Sequence, residues 1–177
     1  MNRGLRILRQ IKSVSFATVY NGCPEIRIID VMMVEADKLY FLTARGKAFY
    51  RQLLEIPFVA ISGMTTDYLA VRVKGKVKRV ARSYLDLIFE KNPMMNDLYP
   101  GEKRDILEPF CLYSGAGELF DLGSHPPHRE RFSFGESQHS DPGYRINDRC
   151  TACSICYDAC PIQAVKRIDS DAVSYAI

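Results

Sequence analysis

Residues 13–61, SVSFATVYNGCPEIRIIDVMMVEADKLYFLTARGKAFYRQLLEIPFVAI, decide the fold. Three β-rich runs, VSFATVY, EIRIIDVMMVE and KLYFLT, are broken by Asn21-Gly22 and by Ala36-Asp37. Asn-Gly between such runs predicts a tight hairpin, because both residues tolerate positive φ. The runs therefore predict a meander. After Thr43 the period changes: in GKAFYRQLLEIP the apolar Phe49, Leu53 and Ile56 keep helical spacing until Pro57 halts it. One helix interrupts the sheet.

Working outward, residues 3–12 place Leu5, Leu8 and Ile11 three apart, with Arg3, Arg6, Arg9 and Lys12 among them, which predicts a short amphipathic helix packed on the core. Beyond the central stretch, PFVAIS reads as a strand. In DYLAVRVKGKV, Leu69, Val71 and Val73 alternate with Ala70, Arg72 and Lys74, the period-two mark of a strand with one wet face. Residues 83–91 read as a second helix closed by Asn92-Pro93, and FCLY and ELFDL as the last strands. Six or seven strands with two or three helices predict a mainly β fold, a small closed or half-closed barrel, since full pairing removes exposed edges. Residues 123–144, rich in Gly, Pro, Ser and His without sustained periodicity, read as a linker arm. Within it Phe132 and Phe134 read as anchors against the barrel or a partner chain. The expected organisation is a barrel domain over 1–122, the arm over 123–144 and a small tail over 145–177.

Composition narrows the function classes. A chain of 177 residues, 47% hydrophobic and 25% charged, affords one domain with an appendage and excludes a disordered or fibrous class. No apolar stretch approaches the roughly 20 residues of a membrane span. The basic N-terminus lacks the apolar core of a secretory signal, so a cytoplasmic location is expected. The net charge of +3 is spread along the chain. It offers neither the concentrated basic stripe of a nucleic-acid surface nor a membrane anchor.

Six cysteines without export favour metal ligation over disulfides. Cys150, Cys153, Cys156, Cys160 and Pro161 form the C-x2-C-x2-C-x3-C-P run that holds iron–sulfur clusters in bacterial ferredoxins. Two-residue spacers let one short loop wrap a cubane, so that successive thiolates meet different irons. Zinc sites usually pair two C-x2-C knuckles across a longer gap. A two-cluster ferredoxin carries two such runs and exchanges the fourth cysteine between them. This chain has one run. Three completions are open: Cys160 closes its own cluster, Cys23 or Cys111 replaces it, or two chains exchange Cys160 across a twofold axis.

The run PEIRIIDVMMVEADKLYFLTARGKAFYRQLLEIPFVAI resembles the flavin-binding segment of the pyridoxamine 5′-phosphate oxidase-like family, the FMN-binding split barrels. In that family a Pro-x-x-Arg strand precedes a strand ending in Thr, then a Ser/Arg-Lys turn opening a helix, then Asn-Pro. This chain supplies Pro24 and Arg27, then Thr43, then Arg45-Gly46-Lys47, with Ile56-Pro57 where Asn-Pro is usual. The resemblance covers roughly residues 10–122 and implies an FMN-binding split β-barrel followed by a ferredoxin-like iron–sulfur tail. FMN needs cationic and hydroxyl donors at its phosphate and an apolar slot at its ring. Arg27, Thr43, Arg45 and Lys47 suit the phosphate, with Lys47 at a helix start where free N–H groups favour an anion. By the resemblance, Ile28 and Ile29 lie beside the ring. Two departures stand out. Ala70 occupies the position of a common flavin-contacting Gln, and the pyridoxal-phosphate-binding tail with its Trp has no counterpart, which speaks against vitamin B6 oxidation.

A cluster passes single electrons and a flavin accepts one or two, so the pair implies a flavin-dependent oxidoreductase working between a 4Fe–4S cluster, FMN and a substrate. The competing reading is a non-catalytic electron carrier or redox sensor. The resemblance further implies a homodimer with FMN at its interface, and a ferredoxin-like donor is a candidate partner.

Overall fold

The two breaks in the opening stretch are tight turns made of consecutive left-handed residues, Asn21 (φ 49°) with Gly22 (φ 77°) and Ala36 (φ 47°) with Asp37 (φ 55°). Turns of this hand match the twist of the strands they join. The computed structural model describes residues 2–125, 127–137, 146–147, 149–161, 163–169 and 173–176. Helix α1 (Arg3–Ile11) leads into β1 (Ser13–Tyr20), β2 (Cys23–Asp30), β3 (Met33–Glu35) and β4 (Lys38–Ala44). Helix α2 (Ala48–Glu55) precedes β5 (Phe58–Met64) and β6 (Leu69–Arg79). Helices α3 (Ser83–Lys91) and α4 (Met94–Leu98) and a 3₁₀ turn (Gly101–Ile106) lead to β7 (Leu107–Asp121) and β8 (His128–Phe134). The C-terminal segment holds α5 (Ile155–Asp158) and the antiparallel pair β9 (Lys166–Asp169) and β10 (Val173–Ala176).

Strands β1 to β8 form one antiparallel sheet in the order β2-β1-β5-β6-β7-β4-β3, with β8 also paired to β7. Alternation on β6 works as the sequence implies: Val71, Val73 and Val77 are buried while Arg72, Lys74 and Lys76 are exposed. The main core packs Phe16, Phe41, Phe110, Leu39 and Leu112 from the sheet against Leu5 and Leu8 of α1 and Phe49 and Leu53 of α2. A smaller core lies under α3, between Leu85, Ile88 and Phe89 and the opposite face of β4 and β7.

Three expectations need correction. EIRIIDVMMVE is two strands, because Val31 enters the main core and Met32 the smaller one. Consecutive residues of one strand face opposite ways and can serve both cores only where the chain crosses between them. The crossing is fixed by the Val31 N–H donating to Lys12 O (2.8 Å) and the Met32 N–H donating to Tyr40 O (2.8 Å), and it sends β2 and β3 to opposite ends of the sheet. FCLY and ELFDL belong to one 15-residue strand. Gly115 and Gly117 between them are sites of close approach: a Cβ at Gly117 would overlap Phe132, and one at Gly115 would crowd Phe134. A register shift opposite Lys76-Val77 bulges β7 at Tyr113, so its first half pairs with β4 and its second with β8. Finally, part of the expected arm is strand β8. Phe134 sits in the main core and Phe132 packs against it, the anchoring role expected of them.

Candidate functional site

Arg27 stands on β2 opposite Phe16 and turns inward. Its guanidinium donates to Thr18 Oγ1 (2.7 Å) and Gln52 Oε1 (3.0 Å), approaches Glu25 (3.6 Å) and lies 4.6 Å from the centre of the Phe49 ring. Thr18 in turn donates to Gln52 (2.7 Å). Thr18 and Gln52 are both buried, and burial pulls the Arg27 pKa below its ordinary value, with Glu25 opposing the shift. Phe49 and Gln52 belong to α2, whose N-cap is Lys47. Arg27 thus contacts the same short helix that Lys47 caps.

Thr43 and Arg45 come from the end of β4 that feeds this helix. Thr43 pairs across the sheet with Glu108 of β7, and both are buried. Thr43 Oγ1 is a buried hydroxyl without a hydrogen-bond partner among the described residues. A buried polar atom left unpaired costs about 1–3 kcal/mol unless a ligand or water completes it. Glu108 gathers three half-exposed arginines: Arg45 at 3.5 Å, Arg82 at 3.6 Å and Arg79 at 3.9 Å. Arg45 and Arg82 also donate to Asp105 O, and Arg79 to the Tyr50 hydroxyl (3.2 Å). Asp105 also pairs with Arg82 (3.0 Å), so two acids stand among three cations and this end of the barrel keeps a net positive charge. Lys47 is exposed at the start of α2, where free N–H groups add to that field.

The structure thus brings Thr43, Arg45 and Lys47 together through β4 and its turn, and joins Arg27 to them through α2. The two isoleucines part company. Ile28 is exposed on the outer face with Ile26, whereas Ile29 packs against the main core. Side-chain alternation lets only one of them face a given ring. Thr18, Gln52, Glu108, Arg79 and Arg82 are absent from the sequence reading. Gln52 left a trace, a polar residue one turn from Phe49 in the apolar stripe of α2. Glu108, Arg79 and Arg82 left none, since strand pairing alone assembles them.

In the C-terminal segment Cys150, Cys153 and Cys156 are exposed and Cys160 is half-buried. The intervening Ala152 (φ 55°) and Ser154 (φ 66°) take left-handed conformations that turn the chain sharply between cysteines. N–H groups point at sulfur: Ala164 donates to Cys160 Sγ (3.2 Å). The Ile155 N–H and the Thr151 hydroxyl lower the Cys153 pKa. These donors suit thiolates that carry negative charge, as cluster ligands do. No group of three or more His, Cys, Asp or Glu stands gathered for a metal among the described residues. Of the two distant cysteines, Cys23 is exposed beside its hairpin turn, while Cys111 is buried on β7 and its thiol is pushed up to about 11 by that burial.

No helix of the described residues is long and apolar enough to cross a membrane. The C-terminal residues 144–166 match the 4Fe-4S binding domain. None of the curated proteins matches the chain. Solved structures share its fold. A NimC/NimA family protein from Clostridium acetobutylicum aligns with a TM-score of 0.67 at 24% identity, over 75% of this chain and 90% of that one. A pyridoxamine 5′-phosphate oxidase-related, FMN binding protein from Nostoc punctiforme PCC 73102 aligns with 0.52 at 17%, over 73% and 88%. A heme binding protein from Mycobacterium smegmatis aligns with 0.56 at 11%, over 75% and 59%. One scaffold with different ligands means the ligand is argued from the site. Residues 5–107 match the pyridoxamine 5′-phosphate oxidase family, which spans the strands and helix around Arg27, Thr43, Arg45 and Lys47, and the chain belongs to that family as a mainly β split barrel.

Proposed function

We propose that the chain is an oxidoreductase that holds FMN on the barrel and a 4Fe–4S cluster on Cys150, Cys153, Cys156 and Cys160, and passes electrons between them to or from a substrate. The observation that carries the reading is the unpaired, buried Thr43 hydroxyl beside the cationic turn Arg45 to Lys47, in a chain that also holds a complete four-cysteine run. Thr43, Arg45 and Lys47 hold the phosphate. Arg27 stiffens the wall of the site through Thr18 and Gln52. Glu108 fixes the Arg45 side chain so that it loses little freedom when an anion arrives. When bound, the cluster supplies electrons singly and the flavin exchanges one or two with a substrate.

Proteins of this family typically pair as dimers that bind FMN, and the outer face of this sheet suits such pairing. Ile26 and Ile28 are 73% and 64% exposed, and Val19 and Phe58 are also exposed. Beside Ile26 runs a groove of about 610 Å³ floored by Ser15, Ala17, Ala60 and Ala116. A dimer built on that face is part of the proposal, and it leaves open whether Cys160 closes its own cluster or the partner's.

Anaerobic purification with visible spectroscopy, iron and sulfide analysis and flavin release tests the cofactors. The expected result is FMN with four irons per chain, and colourless protein overturns the reading. Reduced protein is then offered quinones, nitroaromatics and enones. Sustained turnover marks an enzyme. Stoichiometric reoxidation alone marks an electron carrier or redox sensor, the reading favoured by the exposure of three of the four thiols.

A further inference from the structure

A second cleft lies on the sheet face that turns toward α3, in the small core's wall. Tyr40 of β4, Cys111 of β7 and Lys78 of β6 stand in one row across three strands, Tyr40 opposite Cys111 and Cys111 opposite Lys78. Lys38 is two residues before Tyr40 and so shares its face. Tyr84 of α3 closes the row from above, its ring stacked on Tyr40 at 5.1 Å and 17°. These side chains, with Arg79, Val80 and Ala81, line a cavity of about 310 Å³.

The charge balance of this cleft is one-sided. No carboxylate lines it. Lys38 and Lys78 have no ion-pair partner among the described residues. Lys78 is held over the Tyr113 ring at 4.8 Å, which fixes its ammonium without neutralising it. Glu35, the acid that acts on Tyr40, is engaged by Lys91 at 3.5 Å. Both lysines act on the Cys111 thiol, yet burial keeps that thiol protonated up to about 11, and Tyr40 also stays neutral. Tyr40 is buried and its hydroxyl is engaged by Tyr84 and Cys111, so the lining offers two ammonium groups and the Tyr84 ring, with no carboxylate among the lining residues. Arg79 turns its guanidinium away, toward Tyr50 and Glu108.

We propose that this cleft is a separate binding site for a small phosphorylated molecule, its phosphate held by Lys38 and Lys78 and its body laid against the Tyr84 ring that covers Tyr40. Two point-charge ammonium groups suit a dianion, and a phosphate has oxygens enough to take both. The volume is at the lower end of ligand pockets and admits an organic monophosphate. The site stands apart from Thr43 and Lys47, since Thr43 and Tyr40 lie on opposite faces of β4. It does not depend on the flavin reading.

Inorganic phosphate is the probe, titrated calorimetrically into the purified full chain at constant ionic strength, with K38M/K78M and R45M/K47M as the two variants. One saturable component weakened at least tenfold in K38M/K78M and altered less than twofold in R45M/K47M is the expected result, any second component lost only in R45M/K47M belonging to the turn after Thr43. Absence of saturable binding, or loss confined to R45M/K47M, overturns the proposal. Acetylation of the unmutated protein by acetic anhydride gives an independent readout. Phosphate should slow labelling of Lys38 and Lys78 severalfold relative to Lys74 and Lys76, and equal labelling with and without phosphate counts against the site.

Discussion

In the barrel, Thr43 and Glu108 are buried on paired strands of seven and 15 residues. In the C-terminal segment, Cys150, Cys153 and Cys156 are exposed on a stretch whose helix has four residues. The barrel holds its polar residues in place by packing and by the hydrogen bonds and ion pairs around Gln52 and Glu108. Among the segment's described residues Ile155 and Tyr157 are exposed, so on the proposed reading the bonds from thiolate to iron supply its order, because metal binding free energy is folding free energy where no site is preformed. On that reading the same chain contains one site waiting for its ligand and one made by it. Removing iron with a chelator under reducing conditions should divide the two. Amides of residues 149–169 are expected to exchange with deuterium at least a hundredfold faster, while those of β1, β5, β6 and β7 keep their protection, as read by mass spectrometry. Equal protection with and without iron would erase the distinction.

The joint between the two regions is β8, held to the barrel by its ladder with β7 and by two phenylalanines. Phe134 is 6% exposed within the main core, and a Cβ on Gly115 would crowd it. Phe134→Ala empties that volume and should cost about 3 kcal/mol of barrel stability in urea, the usual scale for truncating a core phenylalanine. Cluster content should be unchanged if the segment is organised by its metal. Phe132→Ala, which opens space against Gly4 and Gly117, should cost less because Phe132 is only partly buried.

What the sequence discloses differs between the regions for a physical reason. The four cysteines lie within eleven residues, so their chemistry is local and the spacing alone proclaims it. The barrel's hairpins are equally local: Asn21-Gly22 and Ala36-Asp37 each bend the chain where the β-rich runs stop, and Pro57 ends α2. Pairing over long separations is silent. Gly115 and Gly117 look like a break and are instead notches for Phe134 and Phe132, which lie 15 or more residues further along. Val31-Met32 looks like the middle of a strand and is a crossing between two cores. The residues proposed for the phosphate end, Thr43, Arg45 and Lys47, stand out in the sequence because one turn carries them. Glu108, which organises the arginines around that turn, is supplied by a strand more than 60 residues away.

Cys111 separates the regions by pH. Burial raises its thiol from 9.0 to about 11 in the folded barrel. The folded state therefore holds this proton where the unfolded chain has begun to lose it. The contribution to stability is complete below about pH 9 and is lost as pH rises toward 11. Comparing the native chain with Cys111→Ala cancels the other groups that titrate there. The native chain should lose about 2 kcal/mol more than the variant between pH 8 and 11 in urea titrations. Parallel curves would mean that solvent reaches the thiol in the folded state.

Thr43→Val carries the smallest effect and bears most directly on the claim that the barrel waits for a ligand. The substitution replaces an unpaired buried hydroxyl by a methyl of similar size. If no ligand ever meets that oxygen, its removal relieves a desolvation cost, so barrel stability without FMN should hold or rise by about 1 kcal/mol. If the hydroxyl meets the flavin phosphate, the same change should weaken FMN binding about tenfold, equivalent to ~1.4 kcal/mol. A gain in stability with unchanged FMN affinity would sever Thr43 from the cofactor. A loss in both would show that the hydroxyl already has a partner, such as an ordered water, in the empty barrel. Only a stable variant with weaker FMN binding fits a polar atom kept unpaired for an incoming group, because side chains that support the fold lose stability and function together.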